Sequence, residues 1–158
     1  MALAYVGIGA NLGDARTMVR DAIASLGRME GSRLVAASSL YRTAPVGYLD
    51  QPDFINAVAA VETALTPHAL LAALRAIEQR HGRVREFKNA PRTLDLDVLL
   101  YGDVCLDDAT LTLPHPRMHE RAFVLAPLAE IAPEVLIPGR GTVRELLIQC
   151  TDQAIEKI

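Results

Sequence analysis

Two aspartates stand two residues apart in the apolar run "TLDLDVLLYG". Side chains on a strand alternate faces, so Asp95, Asp97, Leu99 and Tyr101 are expected on one face and Leu94, Leu96, Val98 and Leu100 on the other. Positions two apart on a strand lie about 6.6 Å apart at Cα, close enough for two carboxylates to converge on one point. In a dry site such a pair repels until one member takes up a proton or a cation settles between them. Mg²⁺ prefers oxygen ligands and commonly takes one or two carboxylates together with substrate phosphates. A D-x-D also suits the wet face of an edge strand, so the pair alone leaves both readings open.

The stretch just upstream, "RHGRVREFKNAPR", carries Arg80, Arg83, Arg85, Lys88 and Arg92 against one acid, Glu86. The whole chain has a net charge of −3, so this clustering is local. Arginine forks match phosphate oxygens in a bidentate way. A solvated basic loop would look the same, but this one leads straight into the aspartates. Cations for phosphate, carboxylates for Mg²⁺ and a loop able to close form the parts of phosphoryl-type transfer, which depends on positioning and charge neutralisation. The Walker A pattern is missing, so any nucleotide is held by another design.

Other chemistry-bearing residues say less. "GIGANLG" sets Gly7, Gly9 and Gly13 between a strand and a helix, with one residue too many for the dinucleotide fingerprint. A tight turn into a helix is the simpler reading. His115 and His119 have the i, i+4 spacing of a zinc pair, but Pro114 and Pro116 argue against one helical face. Phosphate contact or plain structure fits them better, and His68 and His81 are expected to be exposed. Cys105 and Cys150 form no C-x-x-C and read as buried, reduced, inert thiols.

The elements that must position these groups follow from periodicity. The 158 residues, 51% of them hydrophobic, suit a single domain. "LAYVGIGAN" reads as a strand, and Asp14 caps a helix over "DARTMVRDAIASLGRM". "SRLVAASSLYRT" and "AVAAVET" read as two strands. "TPHALLAALRAIEQRHG" reads as a helix capped by Thr66, with Pro67 in its first turn and Gly82 at its end. The aspartate strand comes next, then extended "LDDATLTLPHP", a helix interrupted near Pro127 and a short helix over "TVRELLIQC". The order β-α-β-β-α-β is the ferredoxin-like plan, an α+β fold with a mostly antiparallel sheet covered by helices on both faces. The acidic balance disfavours a nucleic-acid partner. No apolar run is long enough for a membrane span and the N-terminus has no basic leader, so a cytoplasmic location is expected.

Several segments together resemble the 6-hydroxymethyl-7,8-dihydropterin pyrophosphokinase family: "KNAPRTLDLDVLL" most strongly, with "GIGANLGD", "YRTAPVG", "QPDFINAV", "RVR" and "LTLPHPRMHERAFVLAPLAEIAP" in order. The resemblance spans essentially the whole chain. It implies transfer of pyrophosphate from ATP to the hydroxymethyl group of a pterin, releasing AMP, by a monomer acting on small molecules. It implies that Asp95 and Asp97 hold two Mg²⁺ ions and that Arg83 and Arg92 grip phosphates. Glu78, Arg85, Val98, Leu111, Thr112, His115 and Arg121 match nucleotide positions. Phe54 and Phe123 match the aromatic pair that sandwiches the pterin, Asn56 matches the residue that reads its edge, and Thr43, Ala44 and Val46 match the adjoining loop; Asp95 also faces the pterin. The loop "EFKNAP" lacks a tryptophan that some relatives carry, and Phe87 is the aromatic it offers instead. Rival readings are a metal-dependent phosphodiesterase, a non-catalytic ligand-binding module and a reductase using the glycine turn.

Overall fold

The computed structural model describes residues 1–45, 50–81 and 94–158. Val46, Arg83, Arg85, Phe87, Arg92 and the helix-ending Gly82 lie outside the described residues. The first strand, β1 (Ala2–Ala10), runs into α1 (Ala15–Gly27), then β2 (Ser32–Ala37), β3 (Tyr41–Thr43) and β4 (Phe54–Thr63). Next come α2 (Pro67–Arg80), β5 (Asp95–Tyr101) and a small hairpin of β6 (Leu106–Asp107) and β7 (Thr112–Leu113). A single 3-10 turn, Met118–Glu120, leads into α3 (Ala122–Ile131), the hairpin β8 (Leu136–Ile137) and β9 (Gly141–Thr142), α4 (Val143–Gln149) and β10 (Ile155–Lys157).

The main sheet runs β10-β3-β4-β1-β5, with β2 also on β4, and every described pairing is antiparallel. That is the expected ferredoxin-like core. Both main caps form as the residue types dictate: Asp14 accepts from the Thr17 amide at 3.2 Å and Thr66 from the Ala69 amide at 3.2 Å. Helices α1 and α2 bury Val19, Leu26, Leu70, Leu74 and Ile77 against Ala4, Val6 and Ile8 of β1 and Leu94, Leu96 and Val98 beside or within β5. On the opposite face α3 and α4 bury Leu125, Leu128 and Val143 against Tyr5, Val58 and Leu99. Each fully buried Leu or Ile is worth about 1.5–3 kcal/mol relative to exposure, so both layers hold the sheet.

Several expectations need correcting. The segment read as one strand over residues 32–43 is two, β2 and β3, and both pair with β4. A bulge in the β1–β5 ladder breaks the alternation: Tyr5 pairs with Leu100 and Val6 with Val98, leaving Leu99 as the extra residue. Leu100 therefore joins Leu99 on the α3 side, and Tyr101 crosses to the α1–α2 side. The helix expected to break near Pro127 runs through it and breaks instead at Arg121, whose backbone is extended. Pro127 lies in the second turn, where it lacks the bond to the Phe123 carbonyl, and buried Val124, Leu125 and Leu128 hold the helix together around it. Cys105 is exposed and Cys150 is half-buried against the α3–α4 core, so neither is fully buried. His81 is half-buried, its ring nitrogen against the Ile77 carbonyl at 2.9 Å, whereas His68 is exposed and meets Asp108 at 2.7 Å. Among the described residues no helix is long and apolar enough to cross a membrane.

Candidate active site

The α3 side of the sheet is filled at one end and open at the other. Where Tyr5, Leu99 and Val58 lie, α3 and α4 cover it. Farther along the same strands the side chains shrink to glycine or turn polar, and a cleft of about 490 Å³ opens. Its floor comes from facing positions of two strands: Gly7 pairs with Asp97 and Gly9 with Asp95. The glycines therefore lie within a strand, and only Gly13, with φ of 59°, is the turn. A side chain at either floor position would crowd the site. A Cβ at Gly7 would stand 3.3 Å from Leu99 Cδ2, and one at Gly9 would stand 3.1 Å from Asn56 Oδ1.

Asp95 and Asp97 share the cleft face, as their spacing predicts. Burial drives the Asp97 carboxyl up to about 6, and the neighbouring Asp95 charge adds to that; Arg75 pulls in the other direction. Among the described residues no group of three or more His, Cys, Asp or Glu assembles, so this is a two-carboxylate donor set. That set fits Mg²⁺, which completes its shell with phosphate oxygens and water.

The strand bearing the pair is at the sheet edge, and its exposed backbone is secured from α2. Leu96, the residue between the aspartates, donates its N–H to Glu78 Oε2 at 2.7 Å, while its carbonyl accepts from Arg75 Nη1 at 2.8 Å. Arg75 and Glu78 also pair with each other at 2.9 Å. One turn of helix thus takes both hydrogen-bonding groups of the residue that sets the aspartate spacing, and it blocks the edge against stray pairing. Glu78 is 1% exposed and does not line the cleft. Val98 is buried on the α1–α2 side, and Leu111 and Thr112 lie in or beside the β6–β7 hairpin, away from the cleft lining.

The remaining described candidates converge. Thr43, Ala44, Phe54, Asn56, His115, Arg121 and Phe123 all line the cleft. Asn56 is 6% exposed and donates to Thr43 Oγ1 at 2.9 Å, which fixes its amide orientation. The Arg121 guanidinium lies 5.3 Å from the centre of the Phe123 ring, a cation–π contact. His115 Nδ1 accepts the Arg117 amide at 3.2 Å, leaving the proton on Nε2. Burial, reinforced by Arg121, depresses its pKa to about 4, so it is a neutral donor at pH 7. Residue-by-residue reading missed Gly7 and Gly9 as floor, Arg117, Glu120 and Gln153 as lining, and the Arg75–Glu78 clamp. The glycine spacing, which repeats that of the aspartates, was an available signal for the floor.

Residues 5–133 match the family described as 7,8-dihydro-6-hydroxymethylpterin-pyrophosphokinase (HPPK). The chain is 47% identical over 154 residues to 2-amino-4-hydroxy-6-hydroxymethyldihydropteridine pyrophosphokinase of Pseudomonas aeruginosa, covering 98% of this chain and 95% of that one. It is 48% identical over 158 residues to the protein of the same name from Methylorubrum extorquens, covering 100% of this chain and 99% of that one. In fold it resembles Plasmodium falciparum HPPK-DHPS solved with pteroate, with a TM-score of 0.75 at 14% identity over 94% of this chain. It spans 42% of that longer chain.

Proposed function

The chain belongs to the 7,8-dihydro-6-hydroxymethylpterin-pyrophosphokinase family of folate-biosynthesis enzymes, and on that footing we propose that it moves the β,γ-diphosphoryl group of ATP onto the hydroxyl of 6-hydroxymethyl-7,8-dihydropterin and releases AMP. The observation that carries this reading is the single cleft in which Asp95 and Asp97 face Phe54, Asn56 and Phe123 across a glycine floor.

Asp95 and Asp97 would hold two Mg²⁺ ions. Bound there, Mg²⁺ neutralises charge on the triphosphate and increases the acidity of the attacking hydroxyl. The Arg75–Glu78 clamp keeps the two carboxylates at strand spacing. Phe54 and Phe123 offer flat apolar surfaces to the pterin ring, and Asn56, oriented by Thr43, reads its edge. Neutral His115 and cationic Arg121 meet phosphate oxygens, and Arg83, Arg85 and Arg92 add positive charge from the basic segment. Glu78 would serve the nucleotide side through its hold on the aspartate strand, and the matching of Val98, Leu111 and Thr112 to nucleotide positions rests on the family resemblance, since they lie outside the cleft lining. Water kept out of the cleft cannot act as a rival nucleophile. The hydroxyl oxygen bonds to the β-phosphorus, the bond from that phosphorus to the α,β-bridging oxygen breaks so that this oxygen leaves with AMP, and the hydroxyl proton passes to solvent. On the same reading the enzyme works as a cytoplasmic monomer on small molecules.

The test is the nucleotide product. With ATP, Mg²⁺ and the pterin, chromatography should find AMP in step with pterin diphosphate. ADP as the product would point to an ordinary kinase and overturn the reading.

A further inference from the structure

The segment after α4 lies beyond the residues 5–133 that the family description matches, yet it reaches the cleft. It meets the site's frame at one place and the cleft itself at another. Strand β10 pairs with β3, placing Ile155 opposite Thr43, the residue that orients Asn56. Two residues earlier, Gln153 lines the cleft and bonds to the start of α3.

That start has an unusual need. The first amides of a helix have no partner within it, and a side chain at the N-cap commonly serves one of them. Here the N-cap is Arg121, which makes no capping bond. Gln153 supplies it from 31 residues away: its Oε1 accepts the Ala122 amide at 2.9 Å. Its Nε2 donates to the Glu120 carbonyl at 2.6 Å. The two bonds bracket Arg121 and immediately precede Phe123. At its other end α3 is tied to the sheet by Glu130, which accepts from the Tyr41 hydroxyl at 2.7 Å and from the Ser39 amide. The helix carrying one wall of the cleft is thus pinned at both ends, and Gln153 is the pin next to the site.

We propose that Gln153 is a positioning residue for the pterin side of the reaction: by capping α3, which the N-cap residue Arg121 has no acceptor atom to do, it sets the Phe123 ring. The role rests on the proposed function for its consequence, but its structural part stands separately. Gln153 is exposed, so its loss removes little packing. It touches the 3-10 turn and α3 and leaves the aspartate strand alone, so the effect should fall on pterin binding more than on the chemical step.

The experiment compares Gln153→Ala, Gln153→Glu and Asp152→Ala in the full-length chain. Asp152 is a neighbour in the same turn and serves as the control for general disturbance of the tail. Wild type is assayed first for AMP formation; its failure there would count against the proposed function alone. Backbone hydrogen exchange at Ala122, which needs no substrate, should be about tenfold or more faster in Gln153→Ala and unchanged in Asp152→Ala. The pterin KM should rise about tenfold in Gln153→Ala, with the ATP KM and kcat within about threefold of wild type. Gln153→Glu keeps an acceptor for Ala122 and should recover part of both effects. An unaltered Ala122 exchange rate, a pterin KM within twofold of wild type, or equal losses in Asp152→Ala would each overturn the proposal.

Discussion

The two faces of the β1–β5 ribbon are built from the same strands and behave in opposite ways. Toward α1 and α2 the ribbon presents Ala4, Val6, Ile8, Leu94, Leu96 and Val98, all buried. One residue out of phase, toward the cleft, it presents Gly7, Gly9, Asp95 and Asp97. The first set contributes apolar burial, while the second spends stability, since it holds two carboxylates close together and leaves Asp97 hard to ionise. The difference teaches that the site is affordable because its support lies at interleaved positions. Leu96 is both a core side chain and, through its backbone, the residue that Glu78 and Arg75 clamp between the aspartates.

The sharpest way to break this comparison is to neutralise the open face. Asp95→Asn or Asp97→Asn should lower turnover by several decades while far-ultraviolet circular dichroism stays native; near-normal turnover on ATP and the pterin would sink the assignment. Arg92→Ala should follow, with a rate loss of about 10³-fold, as for other charge-neutralising contacts in phosphoryl transfer. On the closed face the currency reverses. Leu96→Ala should cost about 2–5 kcal/mol in urea unfolding, as large-to-small changes in a filled core do. Its kcat, measured well below the melting temperature, should stay within a few-fold, because the backbone bonds to Glu78 and Arg75 remain. A collapse in turnover would show that the two faces are not separable.

A smaller effect is expected from Gly9→Ala. The added methyl must push Asn56 Oδ1 from 3.1 Å, so pterin KM should rise about tenfold with little change in melting temperature. The least effect concerns pH in chelated protein. Asp97 has a folded pKa raised to about 6 from 3.8, so the folded state holds the extra proton in that interval and loses stability as pH rises through it. Asp97→Asn should therefore melt a few degrees higher than wild type at pH 7–8, and the gap should close below about pH 4. A constant gap across that range would mean that Asp97 ionises without strain.

Much of this was legible locally. The D-x-D spacing and the two capped helices are short-range patterns, and they put Asp95 and Asp97 on one strand face and Leu94, Leu96 and Val98 in the core. What stayed hidden depends on partners distant in sequence. The register that sets Gly7 and Gly9 opposite the aspartates, the bulge at Leu99 and the split of residues 32–43 are decided by pairing with β4 or β5, and no local period encodes them. Strand β10 is three residues long and forms only because β3 offers an edge. Gln153 in "TDQAIEKI" carries no motif; its meaning comes from α3 reaching it in space.

The central claim is that Asp95 and Asp97 gather divalent cation where the triphosphate is cut. The direct measurement is Mn²⁺ binding by electron paramagnetic resonance, with Mn²⁺ standing in for Mg²⁺ and a non-hydrolysable ATP analogue present. The account predicts two bound ions per wild-type chain with the analogue, and loss of at least one, with weakened affinity for the other, in Asp95→Asn and Asp97→Asn. Unchanged number and affinity of bound ions in both variants would contradict it.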